Sequence, residues 1–197
     1  MPLKENSLVL YKNRPARVKR LGAKLEIELE GGATQRVRPK DIVCLHPGPM
    51  QSLSELCAQE GEVEIAWEVL AGEVVSLGDL ADLVYGTNTP ATAWAAWELV
   101  VDGLYFHGTP EAVTAQSPEK VAQELEAREA KAAERRAWSA FLDRVRAGRA
   151  APEDQVYLQD VEALALRRRR TSRVMRELRR GETPETAHAF LLELGYW

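Results

Sequence analysis

The sequence predicts a multi-domain α+β chain: a small SH3-like β-barrel over residues 1–50, a winged helix-turn-helix over 51–115, and an α-helical region over 116–197. Three observations carry that reading. Apolar residues recur with a period of two in the first fifty residues and with helical spacing afterwards. Turn and cap signals punctuate both patterns. The charge is sharply partitioned. Residues 1–50 hold ten Lys/Arg against five Asp/Glu, residues 51–110 hold ten Asp/Glu and no Lys/Arg, and residues 111–197 hold sixteen basic and fifteen acidic residues. The net charge of -4 hides this asymmetry, which suits separate modules and invites a polyanion to the basic ones.

In the first module, Leu8, Leu10, Ala16 and Val18 flank a turn at Asn13-Arg14-Pro15. Leu25, Ile27 and Leu29 alternate with Glu26, Glu28 and Glu30, and Gly31-Gly32 supplies a hairpin turn. Thr34–Arg38 and Ile42-Val43 complete five short strands, and Pro47-Gly48-Pro49 breaks the pattern. In the second module, Val63, Ala66, Trp67 and Leu70 lie at helical spacing and Gly72 follows. Ser76 with Asp79 forms a capping box for a helix that Gly86 ends. Thr89-Pro90 is an N-cap with proline in the first turn. It opens a helix bearing Trp94 and Trp97, and Leu104–His107 with Ala112–Thr114 reads as a wing. Beyond Ser117-Pro118 the spacing predicts a helix to Ala147, a second over Pro152–Arg170, an element over Thr171–Arg180 and a final helix after Thr183-Pro184.

The residues exclude several functions. There is no apolar leader or span, and the reading is cytoplasmic. No phosphate-binding glycine loop, nucleophile elbow or HExxH is present. His46, His107 and His188 fall in different modules, and the aspartates are dispersed, so no catalytic residue and no metal site is assigned. Cys44 and Cys57 read as buried, unreactive thiols.

The strongest functional signal is Leu164–Arg180, with eight arginines and one glutamate. Arg167, Arg168, Arg169 and Arg170 would point around a helix in all directions, because each residue turns it about 100°. Arg173, Arg176 and Arg180 would share a face. Two readings stand for these arginines: phosphate contact through guanidinium forks, or a solvated or acid-docked surface. The barrel offers Lys12, Arg14, Arg17, Lys19, Arg20, Arg36, Arg38 and Lys40. Tyr11 is the one aromatic residue of that module, so backbone contact is expected there rather than base stacking. The third helix of the winged module carries no cation, so duplex DNA is not the expected partner. Trp94 and Trp97 read as core.

The order of Leu8-Val9-Leu10-Tyr11, Val63–Leu70, Leu104-Tyr105-Phe106, the charged helix, Gly181–Ala187 and Leu191–Trp197 resembles the N-terminal portion of ribonuclease II (RNB) family exoribonucleases. The similarity is to the bacterial and cyanobacterial type with a helix-turn-helix region ahead of the catalytic domain. The resemblance implies an accessory RNA-binding and scaffolding region of a 3′-to-5′ exoribonuclease that degrades single-stranded RNA to nucleoside monophosphates. It implies a downstream RNB catalytic domain as partner, with magnesium held there and no cofactor in these residues. Whether the chain is itself part of an enzyme stays open. The alternative is a non-enzymatic winged-helix regulatory or adaptor protein acting through protein contacts. Phe190, Leu191, Leu194, Tyr196 and Trp197 are expected to form an exposed apolar patch for a partner domain.

Overall fold

A computed structural model describes residues 3–197 of the chain. It separates into two compact units, 1–125 and 126–197. No helix among the described residues is long and apolar enough to cross a membrane.

The first unit begins with an antiparallel sheet of β1 (Leu8–Tyr11), β2 (Arg14–Arg20), β3 (Leu25–Leu29), β4 (Thr34–Val37) and β5 (Ile42–His46), in the order β4-β3-β2-β1-β5. The strand count is as expected, but β4 and β5 remain unpaired edges, so the sheet is open where a closed barrel was anticipated. Its strands have two cores rather than one. Val9, Val18, Ile27 and Val37 form a cluster within the sheet. Leu8 and Leu45 turn the other way and join Met50 in a larger cluster. Successive strand residues face opposite sides, so consecutive burial of Leu8 and Val9 means that β1 is covered on both.

The larger cluster is completed by α1 (Val63–Val69), α2 (Leu77–Tyr85) and α3 (Pro90–Asp102), through Ala66, Leu80, Val84, Ala96 and Val100. Both anticipated caps of α2 and α3 form. Ser76 and Asp79 satisfy each other's backbone N–H groups, and Thr89 accepts from Thr92 N–H. β7 (Phe106–Thr109) and β8 (Ala112–Ala115) make the wing, joined by a two-residue strand, β6 (Val74–Val75), that pairs with β8. Three helices and this sheet form a winged helix. Trp94 and Trp97 pack against its core, as the sequence indicated.

The segment after β5 is anchored to the sheet. Met50 N–H donates to the Asn6 carbonyl, Ser7 Oγ donates to the Pro47 carbonyl, and Met50 is fully buried. Gly48 sits at φ 84° with a Cβ position only 2.4 Å from the Asn6 carbonyl oxygen, so another residue would collide with the backbone there. His46 closes the same junction. Its Nδ1 accepts from Gly48 N–H at 2.9 Å, which leaves Nε2 to donate to the Asn88 carbonyl at 3.2 Å. Burial pushes the His46 imidazole below its ordinary value, partly offset by the Asn88 carbonyl. The fold therefore favours the neutral His46 imidazole over the protonated one, while the unfolded chain takes up a proton below about pH 6.5. Stability is full above that value and falls as the pH drops below it. Thermal melts at pH 7.5 and 5.5 should show this loss, and His46→Gln should flatten it. An unchanged pH dependence in the variant would remove His46 as the cause.

In the second unit, α4 (Pro118–Arg146) enters from the first, and α5 (Gln155–Ala165), α6 (Arg173–Glu177) and α7 (Pro184–Glu193) follow. Phe141, Leu158, Val161, Met175, Phe190 and Leu191 are its core. Two expectations are corrected here. Phe190, Leu191 and Leu194 are buried in this unit's own core and Tyr196 is half-buried; only Trp197 of the five is exposed, edge-on to His188. Cys57 lies exposed outside any helix, and Cys44 is half-buried in β5.

Candidate nucleic-acid interface

The four consecutive arginines are not helical. α5 ends at Ala165, and Arg167 takes a left-handed conformation at φ 58°. The N–H groups of Arg167 and Arg168 close back onto the Leu164 and Ala163 carbonyls, which caps the helix without a glycine. The chain then turns through Arg168–Thr171, and Ser172 caps α6 by accepting from Met175 N–H. Asp160 of α5 holds that cap, accepting from Ser172 Oγ at 2.7 Å.

Ion pairing divides the arginines into two sets. Arg167 pairs with Glu185 at 3.3 Å, Arg169 with Asp160 at 3.3 Å, Arg176 with Glu182 at 3.0 Å and Arg180 with Glu193 at 2.6 Å. Arg173 lies 4.1 Å over the Trp138 ring, a cation–π contact. Its expected facial partners, Arg176 and Arg180, are thus each bound to an acid of their own unit. Arg168, Arg170 and Arg179 are exposed and form no ion pair among the described residues. Arg170 borders a cleft of about 390 Å3 with Arg167 and Arg169. Arg179, Arg180 and Arg146 border another of about 430 Å3.

The sheet divides its cations in the same way. Arg17 is an internal tie, 15% exposed, bonded to Glu28 at 2.5 Å and to the Met50 and Gln51 carbonyls. Arg38 pairs with Asp41 at 2.8 Å. Arg20 and Arg36 flank Glu26 in one row across β2, β3 and β4. Lys12, Arg14, Lys19, Arg20, Arg36 and Lys40 are exposed without an ion pair among the described residues. At one end of this sheet the β1–β2 hairpin and the turn after β3 enclose a cleft of about 410 Å3, bordered by Tyr11, Lys12, Arg14 and Glu30. No pattern of neighbouring residues marks this cleft, because its walls lie about twenty residues apart in the chain.

No three His, Cys, Asp or Glu side chains among the described residues come together to hold a metal ion. Among the described residues no cluster of side chains fits the magnesium that the resemblance implies for a downstream domain.

A winged helix followed by helices joined through tight turns defines a protein of the helix-turn-helix class by architecture. Residues 50–120 match the family model described as "Ribonuclease II, winged helix domain", and residues 121–197 match the one described as "Double HTH domain" of RNase II. The chain carries an RNase II-type N-terminal region, and nothing in it corresponds to the RNB catalytic domain. No curated protein and no solved structure matches the chain.

Proposed function

We propose that this region serves a 3′-to-5′ exoribonuclease, holding single-stranded RNA for a downstream RNB catalytic domain that binds magnesium, in the cytoplasm. The observation that carries the reading is the turn at Arg167–Arg170 and its continuation to Arg180. There, Arg168, Arg170 and Arg179 form no ion pair among the described residues, although acids neutralise their neighbours. An unpaired guanidinium on the surface is free to take a phosphate bidentately. The sheet, in the manner of an SH3-like module, adds Lys12, Arg14, Lys19, Arg20, Arg36 and Lys40. Arg17 and Arg38 contribute to the fold of that module and to its field, and Arg173 to the packing of Trp138.

The winged helix has a different part. It carries no Lys or Arg over residues 51–110, and α1 exposes Ile65 and Val69, 57% and 61% accessible, one turn apart. That surface supports a second reading, an adaptor acting through protein contacts. Reading the gene past codon 197 separates the two: an open frame with closely spaced aspartates favours the first, and a stop codon the second. For RNA itself, fluorescence anisotropy of a labelled single-stranded oligonucleotide against salt is the test. Each phosphate contact should add about 0.7 to the slope of log affinity against log salt. Charge reversal of Arg36 together with Lys40 should reduce that slope, and an affinity unaffected at low salt would remove the sheet from the interface.

A further inference from the structure

We infer that the cleft at the end of the sheet is a subsite for one nucleotide of single-stranded RNA, with Tyr11 as the stacking surface. The inference rests on the RNA-binding reading and adds base contact to a region where the sequence suggested only backbone contact. The cleft of about 410 Å3 is large enough for a base and its ribose. Its walls are mixed in the way a nucleotide requires. Tyr11, Pro15, Leu29 and Ala33 supply apolar surface, and Lys12 and Arg14 stand at the rim without an ion pair among the described residues.

Tyr11 is held ready. Its hydroxyl accepts from Gln35 Nε2 at 3.1 Å, and the residue packs against the sheet core. The hydroxyl is thereby engaged, leaving the ring to make the contact. Lys12 Nζ sits 5.3 Å from the ring centroid. Lys12 and Asn13 both adopt left-handed conformations, φ 49° and 61°, as a tight hairpin turn requires. Lysine is an uncommon choice at such a position, where Gly and Asn dominate. Here it places an ammonium over the ring, where it would yield to a base and take up the flanking phosphate. Glu30 borders the same cleft and offers a carboxylate to base amino or imino hydrogens, as carboxylates do in base recognition. A proline-rich peptide is the poorer occupant, since such ligands lie across several aromatic side chains and this cleft has one.

The test uses the whole 197-residue chain. Oligouridylate binding by anisotropy is compared for the native chain, Tyr11→Phe, Tyr11→Ala and the double variant Lys12→Glu/Arg14→Glu, each first checked for an unchanged melting temperature. Tyr11→Phe should bind as the native chain does, and Tyr11→Ala should bind roughly tenfold more weakly. The double variant carries its changes at exposed positions, so it probes the cleft even where Tyr11→Ala unfolds. It should lower the salt slope by about 1.4. Amide shifts on titration with uridine monophosphate should centre on residues 11–14 and 29–35. If RNA binds with native affinity to Tyr11→Ala and to the double variant, this subsite is wrong while the arginine turn can still carry the function. If the native chain binds no RNA, both proposals fall. Shifts in this cleft with a polyproline peptide and none with the nucleotide would also overturn it.

Discussion

Replacing Phe141 with alanine is expected to destabilise the helical unit by about 3–5 kcal/mol. Phe141 is fully buried on α4, its ring centroid 4.7 Å from that of Tyr157 and 5.5 Å from that of Trp138. Truncation opens a ring-sized void between α4 and α5 and removes both aromatic contacts. The backbone of α4 cannot close the gap, because Leu142 and Val145 are packed in the same cluster. Denaturation followed by near-ultraviolet circular dichroism should show an early transition from this unit. The winged helix and sheet should keep theirs, because their clusters share no residue with this one. A loss below 1 kcal/mol would show that Phe141 is not central to the packing.

Asp154→Ala should cost the same unit about 2–3 kcal/mol. Asp154 is 0% exposed and receives both Arg144 Nη2 and Nε, the latter at 3.0 Å, and Ala151 N–H at 2.9 Å. Burial would raise its carboxyl. The Arg144 and Ala151 hydrogen bonds and the Arg144 charge outweigh that, and the group is held below the usual carboxylate range. Since the folded value is depressed, the contribution is complete above the ordinary aspartate value of about 3.9 and is lost as the pH falls through the depressed one. The penalty stops short of that for a wholly buried pair because Arg144 remains 32% exposed and can turn to water. Melts at pH 7 and pH 2.5 should find the variant and native chain far apart at the first and close at the second. Equal separation at both would mean that the ion pair is not the source.

Local signals made much of this fold legible. Ser76-Asp79 and Thr89-Pro90 placed two helix starts, and Ser117-Pro118 with Gly148 bounded α4 to within a residue or two. What escaped was set by contacts distant in sequence. Gly or Pro would have ended α5 visibly, whereas the stop is a left-handed arginine, which carries no compositional mark. Reading the helix through to Arg170 gives four arginines radiating from an axis, instead of a turn in which Arg167 and Arg169 face separate acids while Arg168 and Arg170 pair with none among the described residues. The burial of β1 on both faces was equally hidden, since the alternation Leu8, Leu10 suggested one face only. The tie of Arg17 to Glu28 and Gln51, and the cleft beside Tyr11, each join residues that pattern cannot bring together.

The division of the arginines into bound and unbound sets is the centre of the account, and one paired measurement tests it. The affinity of the 197-residue chain for a single-stranded RNA oligonucleotide is measured against salt for two triple variants. One replaces Arg168, Arg170 and Arg179 with glutamate; the other replaces Arg169, Arg176 and Arg180 with glutamine. The first should lower the salt slope by about 2 and weaken binding while leaving the melting temperature near native. The second should lower the melting temperature, through loss of the Asp160, Glu182 and Glu193 pairs, and change RNA affinity much less. Equal RNA binding by the first variant and the native chain would contradict the account.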